Sequence, residues 1–402
     1  MRVAIVTQEY PGVSDYFGGI GTQYRGLAPG LAARGDETHV VTFAPRAGTA
    51  PAQLEGVHLH ALPSGRSWPW HAGLWARRVE NVLDEHGPFD VILAPEFRGE
   101  LWRYARHQRQ GPVVTHLLTS SAQLLALRPG LTRLERQGPR TRLFLRMERE
   151  QAERSSALLA PGRAVLDWAR SLWPGLAGKP AEILPLFIRL DEVRRLAAGP
   201  LPHGFPPADG PLVMLPSRLD GHKGAQQLVD AMQRVWERHP SARLIFVGRD
   251  ARYGHGMMSD HLRARAGARA DRLHVLGAQP PERYFSAVAA ADVVAIPSLW
   301  ESFCLAAVEA MALGRPVIGT SGHGFSEYLE DGANGLLVER RDVDGLAAAI
   351  ERLVEDGGLR EQLGGAAART AETLDVGAVA ARYGETLARL TGREQPAAAA
   401  AP

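Results

Sequence analysis

The sequence predicts an α/β protein of two doubly wound domains joined by a linker. The chain of 402 residues exceeds the size at which a single hydrophobic core usually stops growing. In both halves, short β-branched runs alternate with longer helical stretches, a rhythm typical of parallel sheets covered by helices on both faces. A stretch at 196–211 that is rich in Pro and Gly lacks periodicity and separates the two series.

The first series predicts an N-terminal domain over residues 1–195. Its strands are short and almost entirely apolar, as expected for strands that are buried on both faces. They lie at 2–7, 38–44, 90–96, 112–118 and 157–162. A helix is predicted over 21–35, between the first two strands, and Gly35 ends it.

The second series predicts a C-terminal domain over residues 205–376. Its strands lie at 212–217, 242–248, 273–277, 293–298 and 316–320. Helices fall between them, including 225–239 and 343–356. A last helix is predicted over 377–390, and the low-complexity residues 391–402 are predicted to form a disordered tail.

Composition narrows the class of protein. A net charge of +2, with 45% apolar and 22% charged residues, is that of an ordinary globular chain and argues against a nucleic-acid binder. The single cysteine, Cys304, excludes an intrachain disulfide and a cysteine metal cluster. The apolar run that begins the sequence is too short for a secretory signal or a membrane span. We therefore expect a cytoplasmic protein.

The first candidate ligand-binding residues follow a predicted strand, because ligands in doubly wound sheets bind at the carboxyl ends of the strands. Only Lys179 and Lys223 are lysines among the 46 Lys and Arg residues. In "RLDGHKG", Arg218 follows a strand and Lys223 stands just before a helix. Two cations beside a helix N-terminus suit a polyanion such as a diphosphate, with Arg clamping oxygens and Lys acting as a mobile point charge. The alternative is a solvated surface loop.

The second candidate lies in "WESFCLAAVEAMALG" (300–314). Ser302 is expected to cap the helix that follows it, and Gly314 to end that helix. Glu309 lies eight residues after Glu301, slightly more than two helical turns on, so both carboxylates are expected to point toward one region. Carboxylates suit sugar hydroxyls, which donate hydrogen bonds to them. The alternative is a helix with one solvated glutamate.

A glycine-rich stretch at 17–28 lies between the first predicted strand and the first helix. Gly18, Gly19 and Gly21 would let the backbone approach a ligand closely. Tyr24 stands where the G-x-G-x-x-G dinucleotide motif needs its third glycine, so that motif is not met. The alternative is a glycine-rich turn without a ligand.

These motifs carry a resemblance to a known family. Four stretches, in this order and covering nearly the whole chain, together resemble the GT4 family of retaining, nucleotide-sugar-dependent glycosyltransferases: "GGIGTQYRGLAPGLAARG", "RLDGHKG", "ESFCLAAVEAMALGRPVIGT" and "GFSEYLEDGANGLLV". The R-x4-K-G pattern followed by E-x7-E is the specific part. "DVILAPEFRGE" (90–100) also resembles a stretch of bacterial members that extend glycans.

The resemblance implies the GT-B fold, in which two Rossmann-like domains face a cleft. The N-terminal domain would take the acceptor and the C-terminal domain the nucleotide sugar. The helix over 377–390 would pack back on the N-terminal domain. The reaction would move a hexose from a nucleoside-diphosphate sugar, UDP- or GDP-linked, to a hydroxyl of a glycan, a lipid-linked acceptor or a natural product, with retention of configuration.

The resemblance also implies roles for individual residues. Arg218 and Lys223 would hold the donor diphosphate and stabilise the charge of the leaving group. Glu309 would bind the nucleotide ribose, and Glu301 would face the donor sugar. Gly19 would approach the phosphates from the N-terminal domain.

Backbone amides of Ser302, Phe303 and Cys304 would face the donor with Glu301. His116, at the end of a predicted strand, matches a family histidine near the donor sugar; the alternative is a packed polar residue. Many family members have Gly at positions 302 and 304, so the side chains here narrow the space near the donor sugar. Many also have His where this chain has Asp36, a position that we interpret as structural.

Two alternative functions stay open at this point. One is a sugar-nucleotide epimerase of the same fold, and the other is a catalytically idle partner protein that binds a sugar nucleotide. The sequence does not determine the oligomeric state.

No cofactor and no metal ion are expected. The "DVD" at 342–344 matches a metal-binding pattern of the other main glycosyltransferase fold, but it precedes a predicted helix and is interpreted as a helix cap. The Arg-rich run at 128–150 has apolar residues at helical spacing and offers a peripheral contact with the inner membrane face. A solvated helix face is the alternative, because acidic residues offset part of its charge.

Overall fold

The computed structural model describes residues 1–14, 18–44, 51–63, 69–107, 110–127, 138–207 and 209–392. These residues form two compact units. Unit 1 contains the described residues up to Ala126, those from 138 to Phe187 and those from Val376 onward, and unit 2 runs from Ile188 to Asp375. Each unit is built on a largely parallel sheet, so the predicted α/β class with two doubly wound units is confirmed.

The strands and helices alternate along the chain. The strands are β1 (Arg2–Val6), β2 (Glu37–Ala44), β3 (Gln53–Leu54), β4 (Val57–Pro63), β5 (Val91–Pro95), β6 (Val113–His116), β7 (Ala157–Ala160), β8 (Ala181–Ile183), β9 (Leu212–Leu215), β10 (Arg243–Phe246), β11 (Arg252–Tyr253), β12 (Gly256–Met257), β13 (Leu273–Val275), β14 (Val293–Ala295), β15 (Val317–Thr320) and β16 (Leu336–Val338). The helices are α1 (Gly19–Ala33), α2 (Pro69–His86), α3 (Trp102–His107), α4 (Ser121–Leu127), α5 (Pro139–Arg154), α6 (Arg163–Leu172), α7 (Leu190–Ala197), α8 (Ala225–Arg238), α9 (Met258–Ala266), α10 (Pro281–Ala290), α11 (Leu305–Ala312), α12 (Val343–Glu355), α13 (Gly357–Glu372) and α14 (Val376–Leu390).

The sheet of unit 1 has the order β3-β4-β2-β1-β5-β6-β7-β8 among the described residues, and every neighbouring pair is parallel except β3 with β4. From β1 the chain builds the sheet on one side through β2 and β4. It then crosses to β5 and continues on the other side to β8. The loops after β1 and β5 therefore flank a topological switch point, the place where doubly wound sheets bind ligands.

The sheet of unit 2 has the order β13-β10-β9-β14-β15-β16 and is parallel throughout its described strands. The chain builds outward from β9 to β10 and β13, then crosses to β14 and continues to β16. The switch point of this unit lies between β9 and β14. The loops that follow these two strands contain Arg218, Lys223 and Glu301, so the fold brings the two sequence motifs to one place.

Burial explains which strands the sequence predicts. Strands β1, β5, β7 and β9 are largely apolar, and together with β6 they are buried almost throughout, because helices cover both faces of each sheet. Strand β4 was not predicted because its residues "VHLHALP" place histidines at alternate positions near the edge of the sheet. The three-residue strands β8 and β16 were also not predicted, since their runs are too short to stand out.

The last helix, α14, belongs to unit 1 and packs against α1. Close approach depends on Gly30 of α1, where an added Cβ would lie 2.6 Å from the Cβ of Ala380. The hydroxyl of Tyr383 donates to the carbonyls of Leu184 and Pro185, at 3.4 and 3.3 Å. This helix therefore closes the core of unit 1 although it comes last in the chain.

The boundary between the units lies between Phe187 and Ile188, a few residues before the predicted limit at 195, because α7 packs against α10 in unit 2. The described residues contain no helix that is both long enough and apolar enough to cross a lipid bilayer. The predicted tail at 391–402 lies outside the described residues from position 393 onward.

Gly30→Ala is expected to destabilise the protein by about 1 to 2 kcal/mol, because the added methyl group overlaps Ala380. Gly73, a helical glycine whose added Cβ would meet nothing within 4 Å, is the matched control, and Gly73→Ala should leave stability unchanged or raise it slightly. Denaturant unfolding measures both. Adding Ala380→Gly to Gly30→Ala should recover part of the loss; equal stability of Gly30→Ala and wild type would contradict this packing.

Candidate active site

The loop after β9 is held against the loop after β14 by a glycine. Gly224 caps the N-terminus of α8 with φ +74°, a conformation that favours glycine. A Cβ at this position would lie 2.0 Å from the carbonyl oxygen of Pro297. The two loops can therefore meet only because this residue has no side chain, and Lys223 is placed directly beside the residues that follow β14.

A buried ion pair joins the two loops. The Nζ of Lys223 lies 2.6 Å from Oε1 of Glu301, and the two side chains are only 16% and 10% exposed. Ser298 donates a hydrogen bond to the same oxygen at 2.7 Å. Burial by itself disfavours both charges, but the charge and hydrogen bond of the partner more than offset this, so the pKa of Lys223 is raised and that of Glu301 is lowered.

A hydrogen-bonded histidine, His323, fixes the backbone of Glu301. The backbone N–H of Glu301 donates to Nδ1 of His323 at 3.1 Å, so the ring proton lies on Nε2. Nε2 then donates to the hydroxyl of Thr320 at 2.9 Å, and Thr320 donates to the carbonyl of Ser298 at 2.6 Å. Burial lowers the pKa of His323 to about 4 and keeps it neutral. This network was not predicted from the sequence; the polar residues that follow β15 in "GTSGHG" were the available signal.

The start of α11 differs from the prediction. The helix begins at Leu305 rather than near Phe303, and Cys304 with φ +76° stands at the N-cap in place of Ser302. The hydroxyl of Tyr328 reaches the carbonyls of Phe303 and Cys304, at 2.7 and 3.1 Å, and holds the backbone in this shape. A positive φ favours glycine at position 304, the residue that many GT4 members have there, and it strains the backbone of a cysteine.

A second close approach and a helix end complete this segment. A Cβ on Gly324 would lie 2.5 Å from the backbone carbon of Ser302, so the loop after β15 packs directly on the loop after β14. Gly314 has φ +67° just beyond the C-cap Leu313, which confirms the predicted end of α11.

The second glutamate of the motif is half-buried in α11. Oε2 of Glu309 accepts a hydrogen bond from the hydroxyl of Tyr284 in α10 at 2.9 Å. Burial raises the pKa of Glu309 to about 7, although the bond from Tyr284 opposes the rise. Tyr284 was also missed, since nothing in the local sequence connects α10 with α11.

The charged groups of unit 2 share one electrostatic environment. Burial and the charge of Glu301 raise the pKa of the Cys304 thiol, Lys223 lowers it, and Glu309 adds to the rise. Arg218 interacts with Lys223 and lies 3.4 Å from Asp220, with 43% of its side chain exposed. The structure thus brings together five of the expected positions of unit 2, namely Arg218, Lys223, Glu301, Cys304 and Glu309.

Gly19 lies at a different kind of position from the one predicted. It is the first residue of α1 rather than part of a loop, and a Cβ here would meet nothing within 4 Å. The carboxylate of Glu9 accepts from the N–H groups of Gly18 and Gly21, at 2.6 and 3.4 Å. The N-terminus of α1 is therefore already capped by a side chain from the loop after β1.

His116 is fully buried at the end of β6, with an exposure of 0%. Its ring lies between the hydroxyls of Tyr24 and Tyr383, at 3.5 and 3.4 Å. Burial lowers the pKa of His116 to about 3, so it stays neutral. This environment is that of a packed polar residue, the alternative considered for this position, and a contact of His116 with a donor sugar stays a prediction.

The two remaining interpretations concern single aspartates. Asp342 caps α12 by accepting from the N–H of Gly345 at 2.8 Å, so the predicted helix cap in "DVD" is confirmed. Asp36 is buried and accepts from Nε of Arg34 at 2.8 Å, which agrees with a structural role.

A buried acidic network lies at the switch point of unit 1. Arg98, in the loop after β5, has φ +59° and donates from Nη1 to the side chain of Gln8 at 3.2 Å, while Glu100 accepts from the N–H of Gln8 at 3.0 Å. Burial raises the pKa of Glu96 to about 8 and that of Glu148 to about 7. The stretch "DVILAPEFRGE", which contains Glu96, Arg98 and Glu100, carried part of the resemblance, but no role was predicted for this network.

Comparisons with known proteins agree across both units. Residues 204–370 match the family described as Glycosyl transferases group 1, and residues 18–185 match the Glycosyl transferase 4-like domain. A "Phosphatidyl-myo-inositol mannosyltransferase" of Mycolicibacterium smegmatis is 31% identical over 287 residues, covering 71% of this chain and 67% of the relative. Its Mycobacterium leprae counterpart is 28% identical over 99% of this chain and 100% of the relative. A "D-inositol 3-phosphate glycosyltransferase" of Corynebacterium diphtheriae is 38% identical over 37% and 36%.

Solved structures with similar folds cover nearly the whole chain. "Sucrose-phosphate synthase" from Thermosynechococcus elongatus superposes with a TM-score of 0.76 at 22% identity, covering 97% of this chain and 99% of that one. Anabaena Alr3699/HepE "in complex with UDP-glucose" gives a TM-score of 0.70 at 21% identity, covering 97% and 100%. At these identities the likeness concerns the fold.

Lys223→Met is expected to destabilise the protein by about 3 kcal/mol at neutral pH, because it leaves the buried charge of Glu301 unpaired. The lowered pKa of Glu301 means that the pair stabilises above the ordinary carboxyl range and that this contribution is lost as pH falls through the folded pKa. The deficit of the variant should therefore shrink on acidification. Denaturant unfolding across pH measures it.

Two variants serve as controls for that measurement. Adding Glu301→Gln to Lys223→Met should restore part of the stability at neutral pH. Arg218→Met should change stability by less than about 0.5 kcal/mol, since 43% of its side chain is exposed and its ion pair with Asp220 is long, at 3.4 Å. A deficit of Lys223→Met that is independent of pH would contradict the assignment of the ion pair.

Proposed function

We propose a reaction for this chain from its family: it belongs to the GT4 family of glycosyltransferases and is a hexosyltransferase. It would move a hexose from a UDP- or GDP-linked sugar to a hydroxyl acceptor, with retention of configuration. The observation that carries the proposal is the cluster of Arg218, Lys223, Glu301 and Glu309 around the switch point of unit 2. It combines cations for a diphosphate with carboxylates for hydroxyls.

The cations would hold the donor diphosphate. The ammonium of Lys223 has three N–H donors, and its bond to Glu301 leaves two for phosphate oxygens. Arg218 is exposed enough to turn toward a phosphate, away from Asp220. As the bond to the diphosphate breaks, negative charge grows on the leaving oxygen. Both cations and the first N–H groups of α11 would stabilise this charge. The proposal assigns no metal ion to this site.

The carboxylates would hold the hydroxyl groups on either side of the diphosphate. Among the described residues, both hydrogen bonds that Glu301 accepts fall on Oε1. Oε2 would accept from a hydroxyl of the donor sugar. Glu309 would accept from the ribose, with Tyr284 fixing the orientation of its carboxylate. Ser302 and Cys304 would border the sugar, because they lie between Glu301 and the start of α11, the helix that contains Glu309.

The names of the relatives support two candidate hexoses for the donor sugar. The Mycolicibacterium smegmatis and Mycobacterium leprae relatives are mannosyltransferases by name, and the Anabaena structure is described with UDP-glucose. Mannose and glucose differ at a single hydroxyl, which a carboxylate such as Glu301 can distinguish. Assays with GDP-mannose and with UDP-glucose therefore test two nucleotide bases and two hexoses.

The acceptor that we propose is a myo-inositol that carries a phosphate. The names of the mycobacterial and corynebacterial relatives share this chemistry. At the switch point of unit 1, Arg98 and Arg140 interact electrostatically and would supply positive charge for a phosphate. The neighbouring buried carboxyls, Glu96 and Glu100, would orient hydroxyls of a polyol.

A lipid acceptor would bring the protein to a membrane surface. The Arg-rich run proposed for this contact is only partly described, since residues 128–137 lie outside the described ranges. In α5, Arg146 pairs with Glu150 at 2.7 Å and Arg149 faces Glu153 at 3.8 Å, so part of its charge is neutralised within the helix. Peripheral contact with the inner membrane face remains a proposal.

Transfer to vesicles tests the function directly. The full chain is incubated with GDP-mannose or UDP-glucose and with vesicles containing phosphatidylinositol, with free inositol 3-phosphate in a parallel arm. We expect a glycosylated inositol whose new linkage has the α configuration of the donor, as read by NMR. A β linkage would overturn retention. Release of an isomerised donor sugar would favour an epimerase, and donor binding without turnover would favour an idle partner. Arg218→Ala should lower kcat by more than about a hundredfold.

The affinity for the donor should rise with pH through about 7, because the ionised carboxylate of Glu309 accepts hydroxyl protons better than the neutral acid does. Glu309→Gln should raise the donor KM about tenfold at pH 8 and remove this pH dependence. The half-buried Glu282→Gln in α10 is the matched control and should behave as wild type. A pH profile of KM that is unchanged in Glu309→Gln would exclude this role.

A further inference from the structure

We propose that unit 1 contains a binding site for a divalent transition-metal ion, formed by Glu37 and His39 of β2 and His58 of β4. One ligand atom from each residue lies within 4.8 Å of the others. The three residues lie near the amino ends of their strands. The loops that follow β1 and β5 lie at the carboxyl ends, on the opposite side of the sheet along the strand direction. The site is thus separate from the residues proposed to bind substrates.

The register of the sheet brings the ligands together. His39 of β2 is directly opposite His58 of β4 in the parallel pair. Their rings stack with centroids 4.7 Å apart and an angle of 21° between planes. Glu37 is two residues before His39, so both point to the same face. His60, two residues after His58, adds a third imidazole on that face, 5.2 Å from the ring of His39.

The hydrogen bonds of His39 show how a cation would fit. Its Nε2 lies 3.0 Å from Oε1 of Glu37, and its Nδ1 lies 2.9 Å from Nε2 of His60. A neutral imidazole has one N–H and can donate to only one of these partners. With the proton on Nδ1 and donated to His60, Nε2 and the carboxylate would face each other with lone pairs that a metal ion can share. Metal-ligating histidines commonly donate their second ring N–H in this way.

The surroundings already hold the ligands in place. Arg2 donates from Nε and Nη2 to the two oxygens of Glu37, at 2.9 and 3.0 Å, and so fixes the plane of the carboxylate. His39 is buried beside Phe89, with ring centroids 5.1 Å apart.

The donor set selects the class of ion. Two imidazole nitrogens and one carboxylate oxygen suit Zn²⁺, Co²⁺, Ni²⁺ or Cu²⁺, whereas Mg²⁺ and Ca²⁺ prefer oxygen ligands. Two ligands of a tetrahedral zinc ion lie about 3.4 Å apart, so small side-chain rotations bring the three groups within range. Water would complete the coordination. The bound ion would tie β4 to β2, and among the described strands the two-residue β3 alone lies farther out.

Cobalt binding tests the site without relying on activity. The full chain is stripped with EDTA, dialysed and titrated with Co²⁺, whose visible absorption reports nitrogen ligands and coordination number. We expect one strong site per chain, competition by Zn²⁺ and a rise in the thermal unfolding midpoint with either ion. His58→Gln and Glu37→Gln should each raise the Kd for Co²⁺ by more than about tenfold.

The exposed His203→Gln in unit 2 is the matched control and should keep the Kd and the absorption of wild type. Equal unfolding midpoints of His58→Gln and wild type in EDTA would show that the variant is folded. Absence of the cobalt spectrum would overturn the proposal. An unchanged Kd in both His58→Gln and Glu37→Gln would overturn it equally, because the ion would then be bound elsewhere.

Discussion

The buried contact between Lys223 and Glu301 spans the switch point of unit 2 and depends on both loops that flank it. Each charge is unfavourable in this environment without the other, so the pair ties the loop after β9 to the loop after β14. The contact also requires the backbones to touch, which Gly224 and Gly324 permit. A compact ammonium fits here because it can serve one carboxylate and still offer further N–H groups, whereas a planar guanidinium could not turn its donors independently. The only other lysine, Lys179, is likewise used internally and donates to the carbonyl of Ser155.

Strain and burial are concentrated in the segment between the two glutamates. Cys304 holds a positive φ that costs free energy, and Tyr328 pins the carbonyls that would otherwise relax. Glu309 is kept in a setting that raises its pKa, with Tyr284 as its partner. Such features are expected where donors and acceptors are arranged before a ligand arrives, because the protein supplies the free energy of ordering during folding and not during the reaction. The neutral His323 beneath Glu301 belongs to the same arrangement.

The two ends of the sheet in unit 1 differ in chemistry. At the carboxyl ends of β1 and β5, carboxyl groups such as Glu96 lie in apolar surroundings, and Arg98 is held in a left-handed conformation beside them. At the amino ends of β2 and β4, imidazoles gather around one carboxylate, Glu37. The first set is placed as expected for a ligand at a switch point. The second lies where a bound ion would stabilise the edge of the sheet, so the two proposed sites lie at opposite ends of the strands.

Local sequence patterns were enough to predict the α/β class, most of the buried strands, the cap at Asp342 and the grouping of Arg218 and Lys223 near the two glutamates, because periodicity, capping and position after a strand are local properties. Tertiary structure decided which groups became partners. It paired Lys223 with Glu301 and buried His116 between tyrosines that lie 92 and 267 positions away in sequence. It also moved the start of α11 past Ser302. These outcomes depend on strand order and on backbone contacts between distant loops, which no window of sequence contains. The facing histidines of β2 and β4 are of the same kind, since only the register of a parallel pair makes them neighbours.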